Sequence, residues 1–320
     1  MHDFKTIFYT SIVLVATTAL FFFYDLRESI YVYSLNLRLG QMIGILLIGY
    51  AISISSVLFQ SITNNKILTP SILGFNSLYL MIQSIVIWIF NDTKPDFWSV
   101  NEFFVFSALL MIGFSFILYR LLFKSSVKNI YFILLAGVVC GTVFSSISSF
   151  INRIIETDKF QLFQLKAYAN FDLIQSNLLP ISIVLILISS YIVYKLIPEL
   201  DVYLIGSDNA KMLGINTDRL QIISLCVISV MVSIATVLVG PITFLGLIVS
   251  NISYTLLRSY SLKYIFPLSI ILSWIILSIG LIITQRIATF DLNLTMLINA
   301  FGGIYFIYLL IWGSSNDKNK

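Results

Sequence analysis

Residues 206–221 read GSDNAKMLGINTDRLQ, and this polar stretch lies between two long apolar runs. The run before it, residues 179–194, is LPISIVLILISSYIVY, and the run after it, residues 222–240, is IISLCVISVMVSIATVLVG. A helix of about 20 apolar residues is long enough to cross a bilayer. The two runs therefore predict membrane spans. The stretch between them is longer than a simple tether, can form a turn or two of helix, and is a candidate docking segment.

The composition of the chain is that of an integral membrane protein. Of the 320 residues, 58% are hydrophobic and only 11% are charged, and the mean hydropathy is +0.96. Ordinary soluble domains of this length do not have such a composition. The first apolar run lacks a small-x-small cleavage site, so we interpret it as a retained span and not as a signal peptide. Cys140 and Cys226 lie inside apolar runs and the one histidine is His2, so we expect neither a disulfide nor a metal site.

Ten apolar segments are predicted to span the membrane. They lie near residues 7–24, 42–62, 71–90, 103–119, 130–151, 178–197, 221–239, 242–257, 264–284 and 292–312. The predicted fold is an all-α polytopic membrane protein, with one transmembrane domain over residues 1–320. With both termini in the cytoplasm, 12 of the 19 basic residues lie on the cytoplasmic side. The positive-inside rule favours this orientation, which also places residues 206–221 in the cytoplasm.

The spans contain no ionisable side chain well inside them. Such side chains usually mark proton relays and ion-coupled carriers, so a proton-driven carrier is disfavoured. An intramembrane enzyme would lack an acid and a base. The sequence also lacks the G-x-x-x-x-G-K-[ST] motif that binds ATP phosphates. If the chain moves a solute uphill, the energy must come from a partner. An ion-coupled secondary transporter remains an alternative, since sodium coupling through backbone carbonyls is not excluded, although we detect no clear inverted repeat.

Three blocks of the sequence, in order, resemble the FecCD-type permeases, which are the membrane subunits of bacterial ABC importers for iron–siderophores, haem and vitamin B12. The blocks are LRLGQMIGILLIGYAISISSVLFQSITNNKILTPSILGFNSLY (37–79), AKMLGINTDRLQ (210–221) and VGPITFLGLIVSNISYTLLRS (239–259). The resemblance covers nearly the whole chain. The stretches ILTPSILG and PITFLGL are similar to the branch that serves catecholate-type ferric siderophores.

The resemblance implies an importer in the bacterial cytoplasmic membrane, with both termini cytoplasmic. It implies two ATP-binding subunits, a second permease chain in a homo- or heterodimer, and an extracytoplasmic substrate-binding lipoprotein. The chain itself would have no cofactor and no enzymatic activity, since the partner subunit uses the ATP. The expected function is translocation of ferric siderophore, and a permease for haem or vitamin B12 is an alternative.

The resemblance also assigns roles to particular residues. Short coupling helices near residues 200–220, which would seat in the ATPase, contain Ala210, Lys211, Leu213, Gly214 and Ile215. Docking of the binding protein to outer loops would use Arg38, Arg286 and Arg27. The gate and path candidates are Asn65, Ile67, Ser148 and Ser149. The alternatives that the residues leave open are a solvated loop, solvated arginines and small residues that serve helix packing.

The chain departs from the family pattern in three places. Gln41 stands where a second arginine is frequent, so docking would use fewer ion pairs. Ser250 and Asn251 stand where Pro-His is common. Residues 163–177 read FQLKAYANFDLIQSN in place of the usual Trp-Gly pattern, and we expect an extra helix near the path there.

Overall fold

The fold is all helical over the residues that the structure, a computed structural model, describes: 2–23, 31–90, 94–95, 98–123, 130–172, 174, 176–287 and 293–316. These residues form twelve α-helices and no strand. The helices are α1 His2–Phe23, α2 Tyr31–Thr63, α3 Phe75–Phe90, α4 Val100–Phe123, α5 Ile130–Ile154, α6 Thr157–Ala167, α7 Leu179–Tyr203, α8 Ser207–Met212, α9 Thr217–Val239, α10 Leu245–Leu256, α11 Leu262–Ile282 and α12 Leu294–Asn316.

Ten of these helices correspond to the ten predicted spans. Seven of them are long and apolar enough to cross a membrane: α1, α2, α4, α5, α7, α9 and α11. The apolar parts of α3, α10 and α12 are shorter; α10, with 12 residues, is about 18 Å long, less than the ~30 Å hydrocarbon core. The prediction of an all-α polytopic membrane protein is confirmed. The extra helix expected within residues 163–177 is α6, which begins earlier and ends at Ala167.

The chain divides into two compact units. The first consists of Met1–Thr69 and Ile242–Lys320, and the second of Pro70–Pro241. Both boundaries lie beside a proline, a residue that interrupts helical hydrogen bonding. The single permease domain over residues 1–320 stays a prediction, and the two units are described separately below.

In the first unit, α2 packs closely against α10 and α11 because its contact positions are small. A Cβ atom added to Gly246 of α10 would lie 2.7 Å from Cβ of Ser56 on α2. On the α11 side, Ser273 Oγ donates to the carbonyl of Gly49 at 2.9 Å and Trp274 Nε1 donates to the carbonyl of Leu46 at 2.9 Å. Small residues and interhelical hydrogen bonds are the usual means by which helices associate in lipid.

In the second unit, α5 packs on α3 and on the 3₁₀ turn Pro70–Leu73 that precedes it. A Cβ atom on Gly137 would lie 2.8 Å from Cα of Leu73. Gly74 has φ +85°, and glycine adopts this conformation without the cost that a side chain would add. The hydroxyls of Ser84 and Ser148 lie 2.6 Å apart and join α3 to α5 in the core of this unit.

Candidate functional site

The loop between α7 and α9 is a compact, capped structure. It starts after Tyr203, contains the six-residue helix α8, and ends at Asn216, the N-cap of α9. The Asn216 side chain accepts a hydrogen bond from the backbone N–H of Arg219 at 3.0 Å, the usual arrangement at a helix start. At the base of the loop, Gln221 Nε2 donates to the hydroxyl of Tyr203 at 2.7 Å and joins the ends of α7 and α9.

The end of α8 is a Schellman motif centred on Gly214. The N–H of Ile215 donates to the carbonyl of Ala210 at 3.0 Å, and the N–H of Gly214 donates to the carbonyl of Lys211 at 3.0 Å. These are the two bonds that define the motif, and its C′ residue is left-handed. Gly214 has φ +85°. The Ala-x-x-Leu-Gly pattern is thus a helix stop that gives α8 a defined direction.

The side chains of the predicted coupling segment do not share one environment. Ala210 is 0% exposed and packs inside the second unit, whereas Leu213 is 66% exposed. Lys211 and Gly214 are exposed and Ile215 is half-buried. Ala210 therefore seats α8 on its own chain, and the exposed residues of the segment are the ones available to a partner. The coupling role of the segment stays a prediction.

Sequence analysis missed Met212, which is 87% exposed at the end of α8. Ile205, at the start of the loop, is also exposed. Together with Leu213 they give a polar loop three exposed large apolar side chains. Apolar residues gathered at a polar surface commonly mark a protein contact, and methionine adapts readily to a partner's shape. The signal in the sequence was an apolar pair, Met-Leu, inside an otherwise polar stretch.

The predicted gate residues Asn65 and Ile67 lie in the turn that follows α2, within the first unit. The Asn65 side-chain oxygen accepts a hydrogen bond from the N–H of Ile67 at 2.9 Å, which is an Asx turn. Asn64 has φ +48°, a conformation that asparagine tolerates better than most residues. Both predicted residues are half-buried. The turn is well defined, and its role as a gate stays a prediction.

Arg38 was expected on an outer loop, but the structure places it inside α2. Its side chain is 3% exposed, and Nη1 donates to the carbonyls of Phe22 and, at 3.5 Å, Phe21 at the end of α1. Its bonds to α1 indicate that it fixes the contact between α1 and α2. Gln41, one turn further along α2, donates from Nε2 to Oε1 of Gln285 at 3.4 Å.

The other two predicted docking arginines are Arg286 and Arg27. Arg286 belongs to the π-helical turn Ile283–Ile287 that ends α11. Arg27 lies outside the described residues. Docking of a binding protein on these residues stays a prediction.

Ser148 and Ser149 occupy different sides of α5. Ser148 is buried and hydrogen-bonds to Ser84, which favours the alternative that it serves helix packing. Ser149 is exposed and shares a face of α5 with three further hydroxyl residues that are also exposed, Thr142, Ser145 and Ser146. Among the described residues, no group of three or more His, Cys, Asp or Glu side chains could hold a metal ion.

These features define a polytopic membrane protein that has one capped loop suited to a partner and one ordered turn after its second helix. A family model for the FecCD transport family matches residues 5–312. The chain belongs to this family.

Two relatives are similar to the chain in sequence, and one solved structure is similar in fold. The chain is 41% identical over 297 residues to the petrobactin import system permease protein YclO of Bacillus subtilis (strain 168), covering 93% of this chain and 94% of that protein. It is 26% identical over 278 residues to the petrobactin import system permease protein YclN of the same strain, covering 86% and 84%. An inward-facing structure of a metal-chelate type ABC transporter shares the fold, with a TM-score of 0.82 and 20% identity over 97% of this chain and 99% of that one.

Proposed function

We propose that this chain is a permease subunit of a bacterial ABC importer that carries ferric siderophore of the catecholate type across the cytoplasmic membrane. The observation that supports this cargo is the 41% identity, over nearly the full length of both chains, to a petrobactin import permease. Petrobactin is a catecholate siderophore. ATP is hydrolysed by partner subunits, and the chain supplies one half of the path.

The chemistry of such a cargo suits the exposed hydroxyl face of α5. Iron(III) held by catecholate oxygens forms a bulky anionic complex. A path that binds it tightly would retain it, whereas weak hydroxyl donors allow it to pass. The exposed hydroxyl residues Thr142, Ser146 and Ser149 follow helical spacing and lie on one side of the helix. We assign this face to the path.

The loop between α7 and α9 suits transmission of ATPase movement. Met212 and Leu213 provide the exposed apolar contact, and Ala210 anchors α8 in the second unit. The Gln221–Tyr203 hydrogen bond holds the bases of α7 and α9 together. A capped helix of this kind moves with its two long helices as one body, which is the way rigid-body transitions are conveyed.

The second permease chain is proposed to be a different protein. Two relatives from one Bacillus strain carry the same import-system name, and this chain is 41% identical to one and 26% identical to the other. That pattern fits a heterodimer in which this chain takes the place of the first relative. Both termini are proposed to be cytoplasmic, in accord with the positive-inside rule.

A substrate-binding lipoprotein is proposed to dock on the outer side. Arg286 and Arg27 are the candidates that remain, because Arg38 is engaged with the end of α1. Arginine offers forked donors to carboxylates, and such pairs across an interface weaken as salt rises.

Purification of the tagged chain in mild detergent, with identification of every protein that accompanies it, tests this proposal. We expect an ATP-binding subunit and a second permease chain. Met212→Asp should lose the ATP-binding subunit and keep the second permease. Recovery of the wild-type chain alone, from membranes in which it is stable, would contradict the proposal.

A further inference from the structure

The turn after α2 is held in part by a side chain of α10, 185 residues further along the sequence. The carbonyl of Lys66 accepts a hydrogen bond from Gln60 Nε2 at 2.8 Å and another from Asn251 Nδ2 of α10 at 2.8 Å. Gln60 and Asn251 are both buried. A carbonyl oxygen has two lone pairs, so these two amides satisfy both.

Both hydrogens on Nδ2 of Asn251 are donated in hydrogen bonds. Its second hydrogen is directed to the carbonyl of Leu247, one turn earlier in α10, at 3.0 Å. The Asn251 side chain therefore joins the backbone of α10 to the backbone of the turn. A histidine or a leucine at this position would not supply two donors from one atom.

The Lys66 side chain makes a second contact with the same part of the chain. Its ammonium lies 5.0 Å from the ring centroid of Tyr254 and 4.9 Å from that of Tyr260. Both distances are within the range of cation–π attraction. Tyr254 is in α10, and Tyr260 follows it before α11. Lys66 is thus held at its carbonyl and at its ammonium by residues 251–260.

We propose that Asn251, Tyr254 and Tyr260 form a clamp on Lys66. This clamp positions the gate turn, residues 64–67, and makes the opening of the turn depend on the position of α10. This inference rests on the proposed function, and it takes over the gate role that the family resemblance predicts for the turn. Asn251 acts as a positioning residue and is not assigned any contact with cargo.

The backbone of the turn explains why a clamp has an effect there. Asn64 is in a left-handed conformation. The local bonds described are the Asx contact of Asn65, the N–H groups of Asn64 and Asn65 to carbonyls at the end of α2 at 3.4 and 3.2 Å, and the Gln60 side chain to the carbonyl of Lys66. Beyond Asn65 only the Asx contact and the Gln60 side chain hold the turn locally, so loss of the long-range contact to Asn251 should make it open more often. α10 approaches α2 at Gly246, so movement of α10 reaches the turn through Asn251.

The test is amide hydrogen exchange on the complete transporter in lipid nanodiscs, comparing wild type with Asn251→Leu, which keeps the volume and removes both donors. We expect exchange in residues 64–69 to rise about fivefold, the effect of losing one net hydrogen bond. Lys66→Met should give a smaller rise, because the carbonyl contacts remain. Ser253→Ala is the matched control: Ser253 is buried in α10 and bonds only to Val249 of its own helix among the contacts described, so exchange should not change.

The same variants, as complete transporters in closed proteoliposomes, are assayed for the ratio of ferric petrobactin uptake to ATP hydrolysis. Faster exchange at residues 64–69 in Asn251→Leu, together with a lower ratio, supports the clamp. Unchanged exchange, or faster exchange with an unchanged ratio, overturns it. A wild-type assembly that takes up no ferric petrobactin would contradict the proposed cargo instead, while the exchange data would still decide whether Asn251 holds the turn.

Discussion

The turn at residues 64–67 and the loop at residues 204–216 both connect apolar helices, and they are held by different kinds of contact. The loop is stabilised locally, by a Schellman motif at Gly214 and an N-cap at Asn216. The turn has local bonds from Asn65 and Gln60, and it is also held from a distance, by Asn251 and two tyrosines. A locally capped loop keeps its shape when its surroundings move. A turn held by a distant helix changes when that helix moves.

The two kinds of contact fit the roles proposed for the loop and the turn. A segment that transmits movement from an ATPase has to be rigid. The Schellman motif and the N-cap of the loop, which lie within ten residues of each other, make it rigid. A gate has to respond to the rest of the molecule, and the turn is joined to α10 by Asn251. The same polar residue types, asparagine above all, serve both arrangements.

The largest expected effect comes from breaking the close contact between α10 and α2. Gly246→Ala adds a Cβ atom 2.7 Å from Cβ of Ser56, so overpacking should destabilise the protein by about 1–3 kcal/mol. Thermal unfolding in detergent should show a lower midpoint, and hydrogen exchange should rise at residues 64–69 but not at 204–216. Gly303→Ala is the control, since an added Cβ there meets nothing within 4 Å. Equal midpoints for the two variants would show that the α2–α10 contact is not tight.

The next effect is at Gly214. Gly214→Val places a β-branched residue at φ +85°, which costs about 1–2 kcal/mol and should unravel the end of α8. We expect membrane insertion to be normal, ATP hydrolysis to continue and uptake to fall sharply. Gly214→Asn should retain most of the uptake because asparagine tolerates the left-handed region. Normal uptake by the valine variant would remove the coupling assignment.

A smaller energetic effect is expected when the exposed apolar end of α8 is made polar. Leu213→Asp should leave thermal unfolding unchanged, because the side chain is 66% exposed. Binding of the ATP-binding subunit should weaken by about tenfold or more, the cost of losing a strong interface contact. Co-purification and titration with the partner measure it, and Met212→Leu serves as the conservative control. Retained binding by Leu213→Asp would place the partner elsewhere.

The smallest effect is expected at the ion pair on α8. Lys211 Nζ and Asp208 Oδ1 lie 3.9 Å apart with exposed side chains, and such pairs contribute less than ~0.5 kcal/mol. Asp208→Asn should therefore change neither the unfolding midpoint nor exchange in residues 204–216. A clear loss of stability would mean that charge, and not the backbone caps, holds the loop.

The helical architecture could be predicted from the sequence because membrane spans leave a strong local signal. Ten apolar runs gave ten helices, and the Ala-x-x-Leu-Gly pattern carried its own helix stop at Gly214. These features depend on neighbours within a few residues. They can therefore be predicted from the sequence, as can the polar character of residues 206–221.

The remaining features depend on contacts between distant segments. Asn251 was visible only as a departure from a family pattern, and nothing near it in the sequence points to Lys66. Arg38 reads as an outer-loop cation, yet its donors reach carbonyls at the end of α1. Ala210 and Leu213 are three residues apart in one motif, and only packing on α7 and α9 decides that the first is buried and the second exposed.

We propose that this chain moves ferric siderophore with energy from a partner ATPase. Uptake of radiolabelled ferric petrobactin, in cells that lack other ferric-siderophore permeases, tests it most directly. The complete transporter is compared with one in which the phosphate-binding lysine of the ATP-binding subunit is replaced by alanine. We predict uptake by the first and none by the second, with the complex intact in both. Uptake that persists without ATP hydrolysis would contradict the proposal that a partner ATPase drives transport.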